Sequence, residues 1–156
     1  MDKFTLNIIQ DALIATGDEM FTTMQRTSMS PIIYESLDYA VGVTTTDGEL
    51  LAQGNGVTAF LAALDGVVKS TIEKYKDNPL QEGDIVIANT PYEGGGTHLS
   101  DVSVVYPVFY KGTLVAYTVN KAHWTELGGT FPGSVSTVAT EIYQEGLHFP
   151  FIKVKS

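Results

Sequence analysis

From Phe4 to Met24 the apolar residues Phe4, Ile8, Ile9, Ala12, Leu13, Met20, Phe21 and Met24 recur mostly at three-to-four spacing, the period that lines one face of a helix. The pattern predicts a long amphipathic helix. Gly17 is its expected weak point, because glycine costs about 1 kcal/mol relative to alanine inside a helix. Ser30-Pro31 ends or redirects it, since the residue before proline avoids helical geometry. The period then changes. Two β-prone runs at 39–45 and 49–52 flank Asp47-Gly48, and such a pair, tolerant of positive φ, predicts a hairpin. Leu61, Leu64, Val67, Val68, Ile72 and Tyr75 predict a second amphipathic helix, ended by Asn78-Pro79. Residues 85–88 read as a short buried strand. The runs 102–110 and 113–120, joined by Lys111-Gly112, predict a second hairpin. Beyond it a glycine-rich stretch at 127–134 leads into 138–154, for which the pattern predicts no regular element. The expected fold class is α+β, two amphipathic helices packed on a largely antiparallel, hairpin-rich sheet, in one domain over residues 1–156.

The second hairpin carries the candidate chemistry. If Lys111-Gly112 is a two-residue turn, Tyr110 faces Thr113, and counting outward along both strands places Ser100 opposite His123. His98 and Asp101 then flank that position, within about 5 to 8 Å of His123. In a regular strand His98 and Asp101 point to opposite faces, so convergence requires irregular backbone near Ser100. The glycines at 94–96 just upstream make such an entry reasonable. Two imidazoles and a carboxylate suit Zn, Mn or Fe(II) and leave positions open for water or substrate. From spacing alone, surface or hydrogen-bonded histidines with a turn-capping aspartate are an equal alternative. That two of the three histidines in the chain meet at one pair position favours the metal.

Composition narrows the chemistry further. With 156 residues the chain can bury roughly two thirds of its unfolded surface. Hydrophobic residues make up 44% and charged residues 17%, so some apolar surface is expected to face a partner. A net charge of −9 opposes binding to nucleic acid or an anionic membrane. The absence of cysteine leaves only His, Asp and Glu to hold a metal and removes any need for an oxidising compartment. Acidic and polar residues interrupt the apolar pattern of the first twenty positions, which argues against a signal peptide or membrane span and for a cytoplasmic location.

Other candidates each have a plainer reading. Asn89 and Tyr92, in Asn-Thr-Pro-Tyr directly after a buried strand, form either a substrate-binding loop or a proline turn. Gly94 to Gly96 could offer backbone N–H groups to an anion, although no Lys-Ser/Thr follows as in a nucleotide-binding loop. Glu126 is a candidate general base or a solvated carboxylate. Trp124 walls a pocket or fills the core. Glu35, Asp38, Glu141 and Glu145 stand among apolar residues as further candidates, and His148 before Phe149-Pro150 reads as structural.

Three stretches, QRTSMSPIIYESLDYAVGVTTTDGELLAQ, GDIVIANTPYEGGGTHLSDVSVVYPVFYKGTLVAYTVNKAHWTELGGTFPGS and ATEIYQEGLHFPFIKV, resemble the hydantoinase B/oxoprolinase family, which includes the large subunits of ATP-dependent ketone carboxylases. The resemblance implies a divalent transition metal, Zn or Mn, held by the histidines and aspartate of T-H-L-x-D and A-H, which here are His98, Asp101 and His123. It also implies a hydantoinase A-type partner subunit that uses ATP to phosphorylate an amide or carbonyl oxygen, and so a hetero-oligomer. Family members are several hundred residues long, and the chain resembles their N-terminal part, as a fragment or isolated domain that is expected to be inactive alone. Departures are Thr90 in place of the Asp of N-D-P-Y, Trp124, Thr125 and Glu126 in place of H-A-D, and Phe60 where a histidine is expected.

The first functional expectation is therefore the metal-binding part of an ATP-dependent cyclic amide hydrolase, acting on hydantoin, a lactam or 5-oxoproline, with Glu126 as catalytic candidate and Asn89, Tyr92 and Trp124 as substrate-binding candidates. The alternatives are part of an ATP-dependent ketone carboxylase and a non-catalytic assembly domain.

Overall fold

The computed structural model describes residues 2–94, 96–133 and 136–155. Helix α1 (Lys3–Thr27) starts at Asp2, whose carboxylate accepts from the Thr5 N–H at 3.0 Å and caps the first turn. A short helix α2 (Pro31–Tyr34) follows, with Pro31 in its first turn. Strands β1 (Tyr39–Thr44) and β2 (Leu50–Gln53) form the first hairpin. Its Asp47-Gly48 pair belongs to a turn closed by the Gly48 N–H and the Thr45 carbonyl, with Gly48 at φ +84°. Helices α3 (Thr58–Leu61) and α4 (Leu64–Lys74) occupy the region of the second expected helix, broken at Ala62 and Ala63. Strand β3 (Asp84–Ala88) precedes the long hairpin of β4 (Asp101–Tyr110) and β5 (Thr113–His123). A 3₁₀ turn (Ile142–Gln144) and strand β6 (Ile152–Lys155) lie in the stretch for which the sequence pattern predicts no element.

The architecture is α+β. Six strands form one sheet in the order β2-β1-β5-β4-β3-β6, and every neighbouring pair is antiparallel. Along β1 the side chains alternate between two cores. Ala40 joins Phe60, Leu64, Val68, Val105 and Val119 under α3 and α4, whereas Tyr39 and Val41 pack with Met20, Phe21 and Met24 of α1. Helices therefore cover both faces of β1, and all six of its residues are buried.

α1 runs through Gly17 unbroken. A Cβ there would meet the Gln53 carbonyl carbon at 2.9 Å, so glycine is what allows helix and β2 to touch. The first half of α1 departs from the expected packing: Phe4, Ile8 and Ile9 remain exposed, and contact with the sheet comes through Met20, Phe21 and Met24. Among the described residues no helix is long and apolar enough to cross a membrane.

Candidate metal centre

Lys111 and Gly112 both have positive φ, 50° and 77°, which is the two-residue turn whose twist suits a hairpin. Tyr110 faces Thr113 and Phe109 faces Leu114, as the counting predicts. A bulge then intervenes. Val108 faces Ala116, leaving Val115 as an extra residue on β5, and from there on every partner moves by one. Asp101, rather than Ser100, stands opposite His123. The shift puts Asp101 and His123 on one face, since directly opposed residues share a face, and the irregular backbone expected near Ser100 is the turn that brings His98 to them. Both strands also reach further than expected, β4 beginning at Asp101 and β5 running on to His123.

His98 lies outside the strand, in a turn closed by the Asp101 N–H donating to the His98 carbonyl at 3.0 Å. Leu99, fully buried with Val102 and Leu127, anchors that turn from below. The Ser100 carbonyl accepts from the Trp124 N–H at 2.7 Å and closes the hairpin end, while the His123 N–H donates to the Asp38 carbonyl at 3.0 Å. Of the glycines upstream, Gly95 lies outside the described residues.

The three side chains converge. His98 Nε2 is 3.2 Å from Asp101 Oδ2, and His123 Nδ1 is 3.2 Å from Asp101 Oδ1. The two rings are 5.2 Å apart, and one ligand atom from each residue falls within 4.8 Å of the others. The Asp101 side chain is 1% exposed, His123 11% and His98 42%, so the group opens to solvent on the His98 side. Thr97 Oγ1 donates to Asp101 Oδ2. Burial raises the Asp101 carboxyl above its ordinary value, against the opposing pull of His98, Lys121 and the bond from His123. A carboxylate so placed is costly without a cation, and two imidazole nitrogens with one carboxylate oxygen form a donor set that a divalent transition metal accepts. These residues could hold such an ion.

Three neighbours that the sequence reasoning did not single out complete the surroundings. Thr97 bonds Asp101 directly. Ser103 and Lys121 form the next pair on the same face, both buried. Burial pulls the Lys121 ammonium below its ordinary value, and Asp101 pulls it back up. Once β5 is carried through to His123, period-two alternation alone places Lys121 beside the site. Phe60, where a histidine was expected, presents its ring 5.9 Å from Lys121 Nζ.

The remaining candidates fall at various distances from the trio. Tyr92, 83% exposed, lines a cleft with Thr97 and His98 on one side and Glu141, Ile142 and Glu145 on the other. Asn89 is buried beneath it; its amide donates to the Leu99 and Leu147 carbonyls at 2.8 Å each and accepts from the Phe149 N–H. Trp124 packs edge-on against Phe149 between two apolar clusters. Glu126 is exposed and accepts from the Gly128 N–H. His148 Nε2 pairs with Thr90 Oγ1 at 2.7 Å. Glu35 is exposed and Asp38 half-buried, its carbonyl holding His123. Another groove, lined by Met20, Met24, Val41 and Asn120, lies on the opposite face of the sheet.

Residues 2–156 match the hydantoinase B/oxoprolinase family. The chain is 35% identical to 5-oxoprolinase 1 of Arabidopsis thaliana over 98% of its own length and 12% of that protein. It is 34% identical to the caprolactamase subunit beta of Pseudomonas jessenii, over 99% of this chain and 26% of that one. The crystal structure of the ATP-dependent caprolactamase from the same organism superposes with a TM-score of 0.82 at 30% identity, over the whole of this chain and 27% of that one. A nucleotide-free structure of acetone carboxylase superposes with a TM-score of 0.87 over 96% of this chain and 20% of that one, at 22% identity, a likeness of fold. The chain thus spans about a quarter or less of the length of these proteins.

Proposed function

This chain belongs to the hydantoinase B/oxoprolinase family, and from that premise we propose that it is the metal-binding part of an ATP-dependent cyclic amide hydrolase. The observation that carries the reading is the meeting of His98, Asp101 and His123 around one point at the buried end of the β4–β5 hairpin, away from its turn. In this reading Asp101 and the two imidazoles hold a Zn or Mn ion. When bound, such an ion supplies Lewis-acid activation of water. Asp101 provides the anionic ligand, and Thr97 fixes the orientation of its carboxylate. Leu99 excludes water from beneath, and the cleft beside Tyr92 admits a lactam or imide ring from the His98 side. Trp124 packs on Phe149 in the apolar cluster that also holds Ile142, a residue of the cleft wall. Glu126, exposed three residues beyond His123, is the general-base candidate.

ATP is used, in this reading, by a hydantoinase A-type partner. The name of the caprolactamase relative as a subunit beta, and the description of its structure as ATP-dependent, support a hetero-oligomeric complex. ATP use agrees with a cytoplasmic setting. Amide hydrolysis is preferred to ketone carboxylation because the named amide hydrolases share 34–35% identity with the chain, whereas acetone carboxylase shares 22%.

The test is elemental analysis of the full-length protein together with turnover of cyclic amides by its complex with the ATP-using partner. About one ion per chain, lost in His98→Ala and His123→Ala, with ring opening coupled to ATP cleavage, is expected. Metal content unchanged by both substitutions would remove the reading, and bicarbonate-dependent C–C bond formation would replace the hydrolase by a carboxylase.

A further inference from the structure

The main-chain carbonyl of Asp101 is bonded by a buried group that the reading above leaves unused. Lys121 is 1% exposed, among the largest fully buried side chains, and sits two residues before His123 on the same face of β5. Its ammonium donates to the Asp101 carbonyl at 3.3 Å beneath the Phe60 ring. Its cross-strand partner Ser103 has a buried hydroxyl with no hydrogen-bond partner among the described residues. Lysine is almost never fully buried unless paired, and an unmatched buried hydroxyl is itself unfavourable. Apolar residues at both positions would continue the core formed by Val105 and Val119 on the same strands. Two polar groups are kept instead, directly behind the proposed ligands.

We propose that Lys121 is a positioning residue of the metal centre: its buried ammonium closes the interior side of Asp101, so that an ion is held on the outer side, between His98 and His123 and open to the cleft. The physical basis is repulsion between the ammonium, held on the Asp101 main-chain carbonyl, and a divalent cation on the side chain of the same residue, in a poorly solvated place. The ion takes the position farthest from Lys121 that its ligands permit. That side is also the one where His98 is exposed and the cleft begins. The inference rests on the metal reading.

The test is titration of the metal-free full-length protein with Co²⁺ alone, followed by its visible d–d absorption. Lys121→Met is expected to tighten Co²⁺ binding about tenfold and to change band position and intensity as the ion relaxes inward, while Lys121→Arg keeps the wild-type spectrum. A folded Lys121→Met with wild-type spectrum and affinity overturns the proposal. So does weaker binding with an unchanged spectrum, the result of losing a merely structural cross-link. Should Lys121→Met fail to fold, Co²⁺-loaded wild-type protein decides: pseudocontact shifts of the Lys121 side-chain signals must place the ammonium across Asp101 from the ion, and their placement on the ion's open side overturns it. Failure of the wild type to take up Co²⁺ removes the metal reading and this proposal together, whereas binding by the wild type with an indifferent Lys121→Met removes the role of Lys121 alone.

Discussion

The two ends of the β4–β5 hairpin are built on different principles. At the turn, Lys111 and Gly112 fix the chain through their own φ angles, Tyr110 is 63% exposed, and neighbouring elements contribute little. At the far end Asp101, Ser103 and Lys121 are almost wholly buried and held by distant groups: the Asp38 carbonyl on His123, Leu99 in its apolar socket, Thr97 on the carboxylate. Local geometry starts the pairing, and remote packing finishes it. The Val115 bulge separates the two, so the register set at the turn is not the register at the ligands.

Substitutions at each end test that division. The largest effect is expected from Leu99→Ala, which empties the socket under the ligand turn and should lower stability by about 2–5 kcal/mol in urea melts, with loss of metal binding. A mild loss would show that the turn stands without its anchor. Asp101→Ala should weaken Zn²⁺ binding at least about a hundredfold by calorimetric titration, beyond what removal of an outer partner typically costs; unchanged affinity would detach the chemistry from this end altogether. Thr97→Val should weaken binding about tenfold, with Thr97→Ser close to wild type. At the other end Gly112→Ala, which meets no neighbour but must adopt φ +77°, should lower stability by about 1 kcal/mol and leave metal affinity untouched. A change in affinity there would show that the bulge does not insulate the two ends.

The smallest expected effect is a dependence on pH. The Asp101 carboxyl is raised above 3.8 in the fold, so between that value and its raised one the ion-free native state binds more protons than the unfolded chain. The contribution of Asp101 to stability should therefore fall as pH rises through this window. The difference between wild type and Asp101→Asn in melts across that range isolates it, and saturating Zn²⁺ should oppose the fall by favouring the ionised form. A difference that grows with pH in the absence of metal would contradict the raised value.

Much of this was legible in the chain because it is local. The spacing of Leu64, Val67 and Val68 gave α4, and Lys111-Gly112 gave the turn. Counting from that turn reaches the trio, although it pairs His123 with Ser100 rather than Asp101. A bulge leaves no mark of its own in the hydrophobic pattern: Val115 is as β-prone as its neighbours, and only the packing of the finished sheet makes it the extra residue. Strand β6 was hidden for a related reason, since Phe149-Pro150 and a left-handed Phe151 interrupt the pattern just before it pairs with β3. Gly17 read as a weakness because its value lies in a contact with Gln53, far along the chain. Lys121 and Ser103 look like ordinary solvent-facing positions until both faces of the sheet are covered.

Asn89 carries a further consequence. One carboxamide grips the loop that bears His98, through Leu99, and the tail segment at Leu147 and Phe149 that leads on from the far wall of the cleft. One side chain thereby ties together the two segments that border the mouth of the cleft.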